Sequence, residues 1–209
     1  MKAAFLFILF FISLKSFGQD TARYSLQASI SFNRTDVKDY NTNNGNGFGA
    51  AFNILTHKNK PAFFKFGIEF NKISLFKKYV YDGHFNNLSN VTYDYYYWSL
   101  PLSVGFRTGK KVILFFEAGG FLDLPLTSRL RGTDVSYAPI YSTHKISGKA
   151  GGQNVNFGTS LTIGVKLPVG KSSILICSTY RNGRSENSGD MGNVPIDRYI
   201  RLSLGWEWL

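Results

Sequence analysis

The chain has 209 residues, a single cysteine, and 24 basic against 13 acidic side chains, for a net charge of +11. One cysteine excludes an intramolecular disulfide framework, and the length suits one domain better than two. The basic balance fits anionic lipid or acidic glycans. Nucleic acid is set aside, because the first residues read as an export signal.

MKAAFLFILFFISLKSFGQD opens with Lys2, runs apolar from Ala3 to Leu14, and places Ser16 and Gly18 ahead of a cut before Gln19. The apolar run is shorter than the roughly 20 residues a spanning helix needs, so residues 1–18 are expected to be a signal peptide and 19–209 the mature domain.

From Tyr24 onward the pattern alternates. Tyr24, Leu26, Ala28, Ile30 and Phe32 face away from Ser25, Gln27, Ser29, Ser31 and Asn33. The same period of two recurs over Phe48–Ile54, Phe64–Phe70, Tyr96–Phe106, Leu114–Leu122 and Val155–Leu167. Over Ser173–Arg181 the phase is ambiguous; Ile174, Ile176 and Tyr180 are assigned to the apolar face and Cys177 to the other. Ile200, Leu202, Leu204, Trp206 and Trp208 make an eighth strand.

Short connections at 56–61, 108–111 and 168–171 alternate with long ones at 34–46, 77–92, 125–153 and 182–196. Alternating short and long connections predict an all-β, eight-stranded antiparallel up-and-down barrel with one smooth end and one elaborate end. In a closed barrel the last strand must pair with the first, which accounts for a terminal segment as strand-like as YIRLSLGWEWL.

The nature of the two faces decides which side looks outward. The polar face is mostly Ser, Gly, Asn and Ala, which suits a crowded lumen. The other carries Phe, Leu and Ile along whole strands with Tyr or Trp near the ends. The expectation is a transmembrane barrel of the outer membrane, with Tyr24, Tyr96, Trp98, Trp206 and Trp208 forming aromatic girdles. The tyrosine cluster 93–98 is assigned to the outer girdle. The inward charges would be Lys65, Glu69, Arg107, Glu117, Asp123, Lys166, Arg201 and Glu207, forming an ion-pair network that plugs the lumen, with Glu117–Arg201 as the central pair.

YYYWSLPLSVGFRTGKKVILFFEAGGFLDLPL (95–126) resembles the central hairpin of small outer-membrane barrels of Bacteroidota, the PorT-like or outer-membrane beta-barrel domain family. Tyr97 to Leu102, with Pro101, match that family's Tyr-Leu-x-x-Pro-Leu strand. Glu117 to Gly120 match its Glu-Ala-Gly-Pro, with Gly120 where proline is common. The resemblance implies the barrel and not one activity, since members include secretion-system components.

Function is therefore expected to be non-enzymatic: a membrane scaffold, or a component or partner of an envelope secretion or uptake complex. The expected partners are the lipid bilayer, lipopolysaccharide facing the basic loop 125–153, the barrel-assembly machinery during insertion, and an envelope protein. A small passive channel stays open as the alternative, and a lipid-modifying enzyme as a third class. The enzyme would need His84 or His144 to meet a Ser or carboxylate such as Ser142 or Asp82, while His57 lies at the wrong end. No metal-ligand spacing or nucleophile elbow is present, and GNGFG (45–49) precedes no helix, so no cofactor is expected.

Overall fold

In the computed structural model every element among the described residues is a strand, and the strands close on themselves. The structure describes residues 22–33, 42–43, 45–56, 60–81, 86–137, 140–149, 155–185 and 198–208. The signal-peptide segment, His57, Asp82 and His84 lie outside the described residues.

Eight strands form the barrel: β1 (Arg23–Asn33), β3 (Gly45–Leu55), β4 (Ala62–Tyr81), β5 (Asn86–Thr108), β6 (Ile113–Ser136), β8 (Asn156–Val169), β9 (Ser172–Ser185) and β10 (Arg198–Trp208). Two short strands, β2 (Thr42–Asn43) and β7 (Ser142–Gly148), attach to β4 and β6. Each barrel strand pairs antiparallel with the next, and β1 pairs with β10 over Tyr24↔Trp208 to Asn33↔Tyr199. That last ladder removes the free edge.

The fold is inside out relative to a soluble protein. Ile163 and Leu204 are 66% and 61% exposed, whereas Glu69 and Arg181 are 2% and 1% exposed. Water would not support a surface so apolar over so polar an interior, and a bilayer does; the barrel is transmembrane. Strand β9 has the assigned phase, with Ile176 and Tyr180 outward and Cys177 buried.

At the smooth end, β8 and β9 join through Gly170–Lys171, and Gly170 takes the positive φ of 62° that a two-residue hairpin requires. Inward glycines make room for lumen rings. A Cβ on Gly105 would lie 2.3 Å from Phe63, and one on Gly164 would lie 2.4 Å from Phe115.

The other end corrects an expectation. Residues 77–92 and 125–153 were expected as loops, yet β4, β5 and β6 run 20, 23 and 24 residues, twice what a bilayer crossing of about 9–11 residues needs. Their ladder continues past the membrane to Tyr81↔Asn87 and Asn86↔Ser136, and β7 extends it. The polar composition that suggested loops also suits strands wetted on one face. A bulge between the Ser89 and Thr92 pairings, with Asn90 at φ 51°, absorbs the curvature.

Candidate functional site

The lumen is filled in three tiers. At the smooth end, Lys65 pairs with Glu117, and Glu207 pairs with Lys166 and with Arg23, whose Nη1 donates to Glu207 Oε1 at 3.0 Å. Arg107 sits at the rim, its Nε donating to the Lys60 carbonyl at 3.0 Å. A cavity of only about 20 Å³ remains among these groups, room for roughly one water.

The middle tier centres on Glu69. Arg201 donates to it through two nitrogens at 2.6 and 3.0 Å, and Arg181 donates to Oε2 as well. Arg181 also donates to Ser99 Oγ at 2.9 Å and Tyr199 Oη at 3.1 Å, and reaches Asp123 Oδ1 at 3.6 Å. Its guanidinium carbon lies 4.7 Å from the centre of the Phe121 ring. Asn156 donates to the far oxygen of Asp123 at 3.2 Å. Two guanidinium cations thus face two carboxylates, and each charge has an opposite partner, as burial demands.

The top tier is mostly aromatic and aliphatic. Tyr93, Tyr95 and Tyr97 point inward at 3%, 3% and 9% exposure, successive rings 6.3 and 6.5 Å apart, and pack with Ile73, Leu75, Val91 and Tyr199. This corrects the assignment of the whole tyrosine cluster to the outer girdle. Period two sends odd-numbered residues of β5 into the lumen, so only Tyr96 and Trp98 face out.

Outside, Tyr24, Phe52 and Trp208 cluster near the smooth end with ring centres 6.2 to 6.5 Å apart, and Trp206 stands opposite Leu26. Tyr96 and Trp98 flank Phe70 at 6.2 and 5.7 Å toward the other end.

All eight expected lumen charges lie inside the barrel or at its rim, but the expected Glu117–Arg201 pair does not form. Glu117 meets Lys65 one tier below, while Arg201 meets Glu69. Two participants went unforeseen. Arg181 shares parity with Cys177 and Thr179, and that spacing was a readable signal once the strand's phase was set. Arg23 precedes the first periodic residue and carried no such signal.

On the outer face, above Tyr96, Asp94 is 1% exposed. It accepts hydrogen bonds from Ser74 Oγ at 2.6 Å and Arg131 Nη2 at 2.6 Å, with Lys72 Nζ at 3.1 Å. Burial pushes the Asp94 carboxyl up; Ser74, Lys72 and Arg131 outweigh it and hold the group below the usual aspartate range. His144 stands opposite Asp134 in the β6–β7 ladder, and Asp134 Oδ1 has no hydrogen-bond partner among the described residues.

The barrel resembles solved structures of bacterial surface proteins. Neisserial surface protein A aligns with a TM-score of 0.51 at 12% identity, covering 90% of this chain and 96% of that one. OprG, an outer membrane protein from Pseudomonas aeruginosa, has a TM-score of 0.48 at 7% identity over the same shares of each chain. Ail, the attachment invasion locus protein of Yersinia pestis, has 0.42 at 13%, again over 90% and 96%. No family model matches the chain, and no curated protein does. At 12% identity the likeness to the first is one of fold.

Proposed function

We propose that this chain is a non-enzymatic, non-conducting barrel of the outer membrane, exported by its N-terminal signal, whose work is done at its outer surface. It would act there as a scaffold, or as a component or partner of an envelope secretion or uptake complex. The observation that carries this reading is the packing of the lumen among the described residues: charges paired in two tiers, a tyrosine stack above them, and a cavity of about 20 Å³ among the smooth-end charges. A hydrated ion needs a continuous wet path, and opening one here would separate Glu69 from both Arg181 and Arg201.

The extension of β4 to β7 beyond the bilayer supports a role at the surface, offering a sheet to an envelope protein or to lipopolysaccharide. The resemblance of residues 95–126 to PorT-like barrels supports the secretion or uptake setting. The aromatic strand β10 suits recognition by the barrel-assembly machinery before closure against β1.

The test is conductance in planar bilayers of the purified, heat-modifiable protein. A silent membrane at all voltages is the expected result. Steady ohmic steps that survive dilution to single molecules would replace this reading with the passive channel.

A further inference from the structure

Three neighbouring strands change character at one level of the outer face. On β4, Phe64, Phe66, Ile68 and Phe70 give way to Lys72 and Ser74. On β5, Leu102, Leu100, Trp98 and Tyr96 give way to Asp94 and Thr92. On β6, Leu122, Leu124 and Leu126 give way to Thr127, Arg129 and Arg131. The switch falls directly above the Phe70–Tyr96–Trp98 cluster, at the level where acyl chains end and headgroups begin.

The register places Arg129 opposite Asp94, Arg131 opposite both Thr92 and Ser147, and Lys145 opposite Thr133. Lys72, Arg129, Arg131 and Lys145 therefore share one face with a single buried carboxylate, Asp94. An open groove of about 490 Å³ is lined by Arg131 and Lys145 together with Thr92, Thr133 and Ser147, and by Asn90, Gly132 and Ile146. Asp94 anchors Lys72 and Arg131 without consuming them: the Arg131 side chain keeps 54% of its surface and has further N–H donors to give. Lys72 is held from below as well, 5.7 and 5.9 Å from the Phe48 and Tyr96 ring centres.

We infer that this face is a binding site for the phosphorylated headgroup of an outer-leaflet lipid, with Arg129, Arg131 and Lys145 as the phosphate ligands and Lys72 and Asp94 as their support. Phosphate is the chemistry that a preorganised guanidinium beside hydroxyl donors recognises. A lipid is the source that fits, because the site's lower edge is continuous with the acyl-facing surface, so one molecule can satisfy both. The inference rests on the reading that the protein works at its outer surface and names one ligand there; it does not depend on whether the lumen conducts.

The test reconstitutes the full-length barrel with bisphosphorylated lipid A or its dephosphorylated form and counts lipid retained per barrel by native mass spectrometry. The wild type should retain the phosphorylated form about tenfold better. The R129Q/R131Q/K145Q variant, checked for heat-modifiable migration, should lose that preference while leaving the barrel intact. Equal retention of the two lipids by the wild type overturns the site whatever the variant does, and so does an unchanged preference in a folded variant. Inorganic phosphate should fail to displace the lipid; full displacement would make the site one for a free anion and overturn the lipid assignment. Conductance measured on the same preparation reports separately on the plugged lumen.

Discussion

Arg181 and Glu69, 112 positions apart in the chain, meet in the middle of the lumen, and their contact ties β9 to β4 across the barrel. Neither strand neighbours the other in the sheet, so backbone ladders alone do not hold them at this distance. Removing Arg181 leaves Glu69 with Arg201 but strips the buried carboxylate of Asp123 of its cationic partner. Arg181→Ala should therefore cost about 3–5 kcal/mol, read as a shift of the urea unfolding midpoint in lipid vesicles. Replacing the group as a set, with Glu69→Leu, Asp123→Leu, Arg181→Met and Arg201→Leu together, should cost less than Arg181→Ala alone. A single alanine variant as stable as the wild type would show that the tier does not brace the barrel.

The apolar outer face predicts a depth-dependent penalty. Leu202 is 46% exposed near the middle of β10, and Val169 is 48% exposed beside the β8–β9 turn. Leu202→Arg should cost about 2–4 kcal/mol, and Val169→Arg about 0–1 kcal/mol, in the same vesicle titration. Ser203→Arg points into the packed lumen, where its cost would come from crowding and not from depth. Equal penalties at positions 202 and 169 would place the bilayer elsewhere.

Asp94 makes the sheet beyond the membrane sensitive to acid. Its folded-state pKa is lowered, so the stabilisation is fully present above the unfolded value of about 3.9 and is lost as pH falls through the folded value. At neutral pH, Asp94→Asn should loosen the β4–β5–β6 extension, read as faster amide hydrogen exchange from Ser74, Thr92 and Arg131. Wild type and variant should converge as pH drops below about 4. A variant whose exchange matches the wild type at neutral pH would remove Asp94 as an organiser.

Period two, read strand by strand, reported the eight strands, their faces and the barrel's inside-out character, because every residue of a half-buried strand obeys the same geometric rule. The sequence left three things dark for different reasons. Which charges pair depends on shear, the stagger that brings Glu117 level with Lys65 and not with Arg201, and shear is a property of closure rather than of any one strand. The ladder above the membrane was hidden because its outer face is wet, so Lys77, Thr92 and Arg131 look like loop residues although they sit in register. The tyrosines failed differently: six aromatic or acidic residues in a row mask the alternation that sends 93, 95 and 97 inward.

Cys177 offers a chemical probe of the plug. It is 7% exposed, faces the lumen, and packs with Phe115 and Leu175. A hydrophilic maleimide can reach it only through the barrel's interior or after unfolding. If the lumen is closed, labelling of the folded protein should be at least about a hundredfold slower than labelling in urea, since it must await a rare opening. Moving the thiol by one residue, with Ile176→Cys in a Cys177→Ser background, places it on the lipid face. A membrane-soluble maleimide should then label quickly while the hydrophilic one does not. Rapid hydrophilic labelling of native Cys177 would mean that water runs through the lumen past the Lys65–Glu117 tier, and the case for a non-conducting barrel would fall with it.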